Sequence, residues 1–483
     1  MKKNSYGIRR NYIMKNEIQL IHESSMRILS RTGVKFKNKE AVEILKANGI
    51  RVEKSIAYFT EDQIMYWVSK APSSFTLYAR NPKYNAVIGK HNVNIAPGYG
   101  APYISDQNGE KQLATMKDYM KLAKLYHQCH SYNINGGILV QPDDIPVDHF
   151  ILLLFYAIYM ASDKCIVTGA GKKDEMQALM EMVCAAFGGK EELAKYPRVI
   201  TLINTNTPLL LDTNMTDSLI TYARYRQPVI IASLAQAGLT SPVTMAGTIA
   251  MANAEVLAGI VLAEMVSPGT PVVYGSQSTN ADMRNGATAI GSAEGSLCYA
   301  YCADMARFYQ LPSRAGGALT DARIVNAQSG YESMLTLLTC YNSEVNLVLH
   351  SSGILDSYAS MSYDKLIQDF EIIDYIQRFK AGIEISKDTL AEDVIDSVGH
   401  NGQYLTEEHT FEHCRTESLT PFISIRGDDL PIDQLQKNTD TRLAKLLEEY
   451  KQPEADSAIV ASLRKIMLDR GVEQETIDMI DAL

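Results

Sequence analysis

Between about residue 86 and residue 385 the sequence alternates, eight times over, a short apolar run with a longer stretch of helical period. The runs fall at 93–96, 133–140, 165–168, 198–204, 228–233, 271–274, 312–315 and 345–350. Most are rich in β-branched or aromatic residues and are bounded by glycine, proline or polar residues, the pattern of a buried strand. Helices are predicted between them at 115–130, 146–162, 172–187, 213–226, 242–266, 286–310 and 321–342, and an eighth at 363–383 follows the last strand. Thr115 with Asp118 makes a capping-box pattern, and Ser241 before Pro242 reads as an N-cap followed by proline at the first helical position. Such alternation forces parallel neighbours joined by right-handed crossovers, and eight units close into a (β/α)8 TIM barrel. The competing α/β architecture is an open doubly wound sheet, but no G-x-G-x-x-G opens its first helix.

The barrel occupies residues 86–385 in this reading. Residues 1–85 form a helical lead-in, with helices predicted at 16–33, 39–49 and 61–71 and some irregular or β structure near 75–79. Residues 386–483 form a helical appendage rich in charge. Its best linker is KQPEAD at 451–456, so the final helices are expected on the rim of the barrel or on another subunit.

With 483 residues, 46% of them hydrophobic, the chain can bury a large core. A formal charge of −10, with no basic run denser than Lys2-Lys3 or Lys172-Lys173, argues against a nucleic-acid partner. The basic N-terminus is followed by no apolar signal region, and no stretch of 18 uncharged apolar residues occurs, so a cytoplasmic protein without a membrane partner is expected. Seven cysteines lie scattered without a C-x-x-C pair, the pattern of reduced thiols.

In a TIM barrel the reacting groups stand at the C-terminal ends of the strands. Those ends offer Tyr99, Tyr103, Gln141, Asp143, Asn204, Asn206, Gln236, Tyr274, Gln277, Arg284, Arg314, Asp321, His350, Ser352 and Asp356. The set is rich in amides, hydroxyls and tyrosines, and it holds neither a nucleophile elbow nor an H-E-x-x-H zinc motif. His127 with His130, and His409 with His413, are the nearest approaches to metal-ligand spacing; neither assembles three ligands, and no bound metal is expected. TGAGKK at 168–173 imitates a phosphate loop without its G-x-x-x-x-G-K-[ST] frame. Aromatic faces with few carboxylates suit an alkylated cationic nitrogen, held by cation–π attraction of up to about 2 kcal/mol. Tyr99 and Tyr274 are the candidate faces; Arg314, His350 or Arg284 would meet an anionic end of the ligand, with Asn204 and Gln277 as further polar contacts. Packing is the competing role for each tyrosine among 27, and backbone-satisfied burial is the competing role for His350.

Three longer segments carry a resemblance. NGGILVQPDDIP (135–146) with ASDKCIVTG (161–169), YGSQSTNADMRNGATAIGSAE (274–294) and GQYLTEEHTFEHCR (402–415) together resemble the trimethylamine methyltransferase superfamily, over nearly the whole chain. The resemblance implies a (β/α)8 barrel that transfers a methyl group from an amine to the cobalt of a separate corrinoid protein. Archaeal trimethylamine members use pyrrolysine, which is absent from this sequence. The chain is similar instead to the branch without pyrrolysine, whose substrates are quaternary amines such as glycine betaine. The resemblance thus implies a quaternary-amine methyltransferase with a cognate corrinoid protein as partner, cobalamin carried by that partner, no cofactor held tightly by this chain, and a homo-oligomeric assembly. A non-catalytic betaine- or amine-binding barrel is the alternative, as is a pyrrolysine-independent methyltransferase for another methylamine. A barrel lyase or aldolase would want a strand-end lysine, which is missing.

Overall fold

The computed structural model describes residues 5–427 and 430–483. Lys2 and Lys3 of the basic N-terminus lie outside the described residues. Eight parallel strands form the central sheet: β1 (Asn94–Ile95), β2 (Ile134–Gly136), β3 (Cys165–Thr168), β4 (Val199–Asn204), β5 (Val229–Ser233), β6 (Val272–Ser276), β7 (Ser313–Ala315) and β8 (Leu347–Val348). Their order is β1-β8-β7-β6-β5-β4-β3-β2, so every strand from β2 to β8 pairs with its predecessor or successor in sequence and β1 pairs with β8. The seam between β1 and β2 is joined just beyond the strands, where Gly100 N donates to Ile138 O at 2.6 Å and Gln141 N to Ala101 O at 2.9 Å. Eight helices follow in turn: α1 (Met116–Gln128), α2 (Phe150–Ala161), α3 (Lys173–Phe187), α4 (Thr213–Arg224), α5 (Met245–Val266), α6 (Ala293–Phe308), α7 (Ala327–Asn342) and α8 (Tyr363–Ala381). The (β/α)8 count read from the sequence is the count in the fold.

Several expected boundaries move, each for a local reason. The second strand ends at Gly136 rather than residue 140, because Gly136 and Gly137 take φ of +88° and +82°, outside the strand region. The capping box at Thr115 and Asp118 is present. The expected N-cap at Ser241 is not: its hydroxyl meets Thr248 Oγ1 at 2.8 Å, and α5 begins at Met245. The stretch after β6, expected as a loop running into a helix from 286, instead folds into a hairpin (Thr279–Ala281 against Thr288–Ala289), and α6 starts at Ala293 behind the Ser292 cap.

Two apolar layers hold the barrel. Ile134, Val167, Ile200, Leu202, Ile230, Val273 and Leu347 point inward and meet Leu77, Ala79, Ala86 and Ile88, contributed by a hairpin (Ser74–Leu77 with Ala86–Gly89) that plugs one end. Each buried aliphatic side chain of this kind contributes roughly 1.5–3 kcal/mol. Alternate strand residues such as Val199, Ile203, Ile231 and Tyr274 point outward into the core shared with the helices. The lead-in helix Ser5–Arg31 lies along α5, where Ser25 Oγ donates to Ala250 O at 2.8 Å. At the other end of the chain the helices Ser457–Asp469 and Gln474–Asp481 pack on the barrel of their own chain, with Tyr156 of α2 donating to Asp481 at 2.6 Å.

Helix α5 is buried on all sides and is the one helix, among the described residues, long and apolar enough to cross a membrane by length and composition. It nevertheless carries two buried carboxyl groups. Glu255 accepts from Thr205, Ser233 and the Leu209 backbone amide, whereas Glu264 has Gly269 N at 2.7 Å on one oxygen and no partner for the other. Burial pushes the Glu264 carboxyl up to about 8 from its ordinary 4.5. A raised folded-state value means that its contribution to stability is present in full below about pH 4.5 and is lost as the pH rises through about 8. Glu264→Gln should therefore match the parent near pH 5 and exceed it by about 1–3 kcal/mol at pH 9 in denaturant unfolding. A gap that does not change with pH would show that the carboxyl ionises freely.

Candidate active site at the barrel mouth

Register explains how the site is built. Asn204, Ala232, Gly275, Arg314 and Leu347 are paired in succession across β4 to β8, one ring of the barrel near the C-terminal ends of its strands. Two of the five are the smallest residues available. At Gly275 even a Cβ would come within 2.7 Å of the Ala232 Cβ, so this side of the ring is filled by backbone and leaves the interior to the long side chain of Arg314.

Arg314 is 1% exposed, and its Nε and Nη2 have no hydrogen-bond partner among the described residues. No carboxylate forms an ion pair with it there. Burial lowers its pKa, but a guanidinium stays protonated, so an uncompensated positive charge stands inside the barrel.

His350 follows β8 with φ at +62°, an uncommon conformation for a residue with a Cβ. It is held there from both sides: His350 N donates to Pro97 O and Ala318 N donates to His350 O, each at 3.0 Å. Gly317 passes so close that a Cβ on it would lie 2.2 Å from His350 O. The imidazole sits between two tyrosines, with ring centroids 6.1 Å from Tyr99, edge to face, and 5.0 Å from Tyr358. Its Nδ1 is buried and unpartnered. Burial first, and the Arg314 charge second, hold its pKa well below the usual 6.5, so the ring is neutral at physiological pH.

Tyr99 reaches this place because Gly137 gives way: a Cβ on Gly137 would stand 2.8 Å from the Tyr99 ring. Gln277, just past β6, donates to the Tyr299 hydroxyl at 3.2 Å and leaves Oε1 buried without a partner. The Tyr358 hydroxyl is buried beside Gln277, without a partner of good hydrogen-bond geometry among the described residues. Arg314, His350, Gln277 and Tyr358 thus converge with buried polar atoms that lack a well-placed partner among the described residues, where native interiors leave few. Asp321, a carboxylate close enough to act on the Tyr358 hydroxyl, is occupied at the rim, accepting from Ser357 at 2.6 Å and from the Ile290 and Gly291 amides at 3.0 and 3.1 Å. Burial raises its pKa.

Of the six side chains singled out in the sequence, Tyr99, Gln277, Arg314 and His350 meet in this cluster, and Asn204 stands exposed on the same ring. Tyr274 does not. Strand alternation turns Val273 and Gly275 inward, so Tyr274 leaves the barrel on its outer face, donates to Asn253 Oδ1 at 2.9 Å and packs against Tyr309. Arg284 is likewise elsewhere, on the hairpin, exposed and paired with Asp282 at 2.7 Å. Tyr358 and Tyr299 were missed. Tyr358 lies eight residues beyond His350 and two beyond Asp356, the last strand-end candidate considered for β8, in the loop sequence GILDSYASM, where a slightly longer search finds it. His409 and His413 lie 4.3 Å apart by ring centroid, and both turn to Asp388. No group of three His, Cys, Asp or Glu residues is placed to hold a metal among the described residues.

A barrel with its polar cluster at the C-terminal ends of parallel strands is of the class of (β/α)8 proteins that receive small molecules at that face. Within that class, the chain belongs to the trimethylamine methyltransferase (MTTB) family, whose profile matches residues 5–474. It is 40% identical to the glycine betaine methyltransferase of Desulfitobacterium hafniense (strain Y51), across 96% of this chain and 98% of that protein. It is 31% identical to a trimethylamine methyltransferase MttB of D. hafniense (strain DSM 10664 / DCB-2), across 93% and 92% respectively. A proline betaine:corrinoid methyltransferase of Eubacterium limosum is also 31% identical, across 91% and 92%.

The outward turn of Tyr274 is testable. Tyr274→Phe should cost about 1–3 kcal/mol of stability, because Asn253 Oδ1 loses its buried donor, and should leave ligand affinity at the mouth unchanged. A loss of ligand affinity with stability intact would return Tyr274 to the site.

Proposed function

We propose that this chain removes a methyl group from a carboxylated quaternary amine, glycine betaine foremost, and delivers it to a reduced corrinoid carried by a partner protein. The observation that carries the reading is the buried guanidinium of Arg314, without a counter-charge, beside a neutral His350. A ligand carboxylate would satisfy it by a charge-assisted pair and would accept from a His350 N–H as well. The quaternary nitrogen of the same zwitterion then falls among the faces of Tyr99 and Tyr358, where cation–π attraction holds it. Trimethylamine has no anionic end and would leave Arg314 as it stands. The higher identity to a glycine betaine methyltransferase than to the trimethylamine enzyme of the same genus supports the same choice.

The chemistry asked of the protein is limited, and the residues present match it. A Co(I) corrinoid on the partner would supply the nucleophile; the C–N electron pair would stay on nitrogen as the methyl group leaves, so that the amine would depart neutral. No proton is needed, and no side chain of the cluster is a free acid: Tyr358 and Tyr99 are held protonated by burial, and Asp321 is bound to the rim. The protein's work is to orient the zwitterion with its methyl groups toward the opening and to keep water from the cation.

Arg314→Met should weaken glycine betaine binding by about 2–4 kcal/mol in calorimetry, and Tyr99→Ala by about 1–2 kcal/mol. His350→Ala should lower transfer to added cob(I)alamin far more than it lowers the unfolding temperature. Because His350 titrates well below 6.5, kcat/KM should be flat from pH 6 to 8. Demethylation of trimethylamine at the rate of glycine betaine, or betaine affinity untouched by Arg314→Met, would overturn the reading.

A further inference from the structure

The cluster at the mouth is closed to solvent. Arg314 is 1% exposed, Gln277 4% and His350 6%, so a ligand reaches the guanidinium only when some part of the mouth moves aside. Most of the wall is fixed. His350 is bonded through its backbone on both sides, Gln277 N donates to Ser233 O at 2.8 Å, and Arg314 stands within β7. Tyr358 is carried differently.

It sits at the tip of a hairpin, Ile354–Leu355 against Ser360–Met361, whose loop, residues 356–359, is half-exposed between buried flanks. Hairpin tips ordinarily carry small or polar residues into solvent. This one turns a tyrosine ring inward, 5.0 Å from His350 by ring centroid. To do so the chain takes φ of +50°, +51° and +75° at Asp356, Ser357 and Tyr358. Residues with a Cβ enter the left-handed region rarely, and then singly. Three in succession without a glycine persist only where neighbours over-determine them.

The neighbours belong to two other loops. Asp356 N donates to Ala322 O at 2.8 Å, Ser357 N to Thr320 O at 3.3 Å and Ser357 Oγ to Asp321 at 2.6 Å, all in the loop after β7. The Asp356 carboxylate pairs with Lys111 and, at 3.6 Å, with Arg323. Lys111 lies on a hairpin in the loop after β1 (Tyr103–Ser105 with Lys111–Leu113), which leans on the same β7 loop: a Cβ on Gly109 would come 2.9 Å from the Ile324 side chain. One carboxylate thus ties together the loops after β1, β7 and β8. Ion pairs near the surface hold weakly, and releasing these would let three strained residues relax. The tip is therefore the part of the mouth that moves at least cost.

We propose that residues 356–358 are the gate of the site, with Tyr358 as its moving wall and the Lys111–Asp356 pair as its latch. With the ligand taken from the function proposed above, Tyr358 swings out to admit a betaine and closes against the flank of the ammonium, leaving the methyl groups toward the opening. Asp356 is then a positioning residue, acting on the ligand through Tyr358.

Asp356→Asn keeps the size of the side chain and its tolerance of the left-handed region while removing the charge. In the ligand-free chain, amide exchange over residues 354–361 should quicken at least tenfold in Asp356→Asn and at least threefold in Lys111→Ala, which leaves Arg323 in place. Lys111→Arg should keep the parent's rate, and the amides of His350 and Ser351 should exchange as before. In stopped-flow binding, glycine betaine should both enter and leave Asp356→Asn at least threefold faster, with the unfolding temperature unaltered; a side chain that merely braced the bound ligand would change the exit rate alone. Unchanged exchange at the tip in both variants would overturn the proposal. So would quickening that spreads to His350, the mark of general loosening, or an entry rate equal to the parent's. Tip exchange that answers to both variants while glycine betaine neither binds nor slows it would support the latch and overturn the ligand assignment instead.

Discussion

A guanidinium without a counter-charge in the interior of a barrel is the condition around which the mouth is arranged. Removing an ion from water costs several kcal/mol even after relaxation, and nothing in the folded chain repays it at Arg314. The surrounding ring is built to tolerate this. Gly275 and Ala232 make room, and Tyr99, Tyr358, His350 and Gln277 supply dipoles without supplying an anion. The cost is borne by the rest of the fold: the plugged barrel interior, the helix layer, and a lead-in that buries Leu29, Val34 and Phe36 against α5. A site that must leave one charge unsatisfied until a ligand arrives needs a large core elsewhere.

The position of His350 shows how that core reaches the site. Its left-handed backbone conformation is unfavourable by itself and persists only where neighbours over-determine it. Directly after it, Ser351 and Ser352 both hydrogen-bond the Tyr132 hydroxyl, at 2.7 and 2.6 Å, and the Tyr126 hydroxyl donates to Ser352 O while accepting from Gly98 N. Below them Asp369, paired with Lys365 in full burial, accepts from Gly353 N at 2.8 Å. The imidazole is therefore placed by α1 and α8 as much as by the strand that carries it. These partners lie between 16 and more than 200 residues away in sequence.

That distance marks the limit of what could be read in advance. The eight-fold alternation was legible because period and punctuation are local, and so was the cap at Thr115, where side chain and backbone partner lie three residues apart. Tyr99, Gln277, Arg314 and His350 were legible because parallel strands deliver their C-terminal ends to one face. Tyr274 was not, since a strand of five residues exposes both faces to apolar surroundings and the sequence does not say which alternate residue turns inward. The shortened β2 was hidden because the apolar run gives no sign that Gly136 and Gly137 take positive φ, and the hairpin after β6 because its first strand also pairs in parallel with Gln236 and Ala237, far upstream of any local window.

The charge arrangement also bears on discrimination between methylated amines. In the proposed reading a bare trialkylammonium at the tyrosine faces would share the cluster with a guanidinium, and two like charges on the order of 6 Å apart at an effective dielectric of about 20 repel by roughly 3 kcal/mol, more than a cation–π contact returns. A betaine brings its own carboxylate between the two positive centres, turning the same geometry into an alternating row of charges. On the proposed function, affinity for the quaternary nitrogen would then be conditional on the anionic end. Selectivity on that reading would arise from the repulsion that the wrong ligand leaves uncancelled, in addition to the contacts that the right one makes.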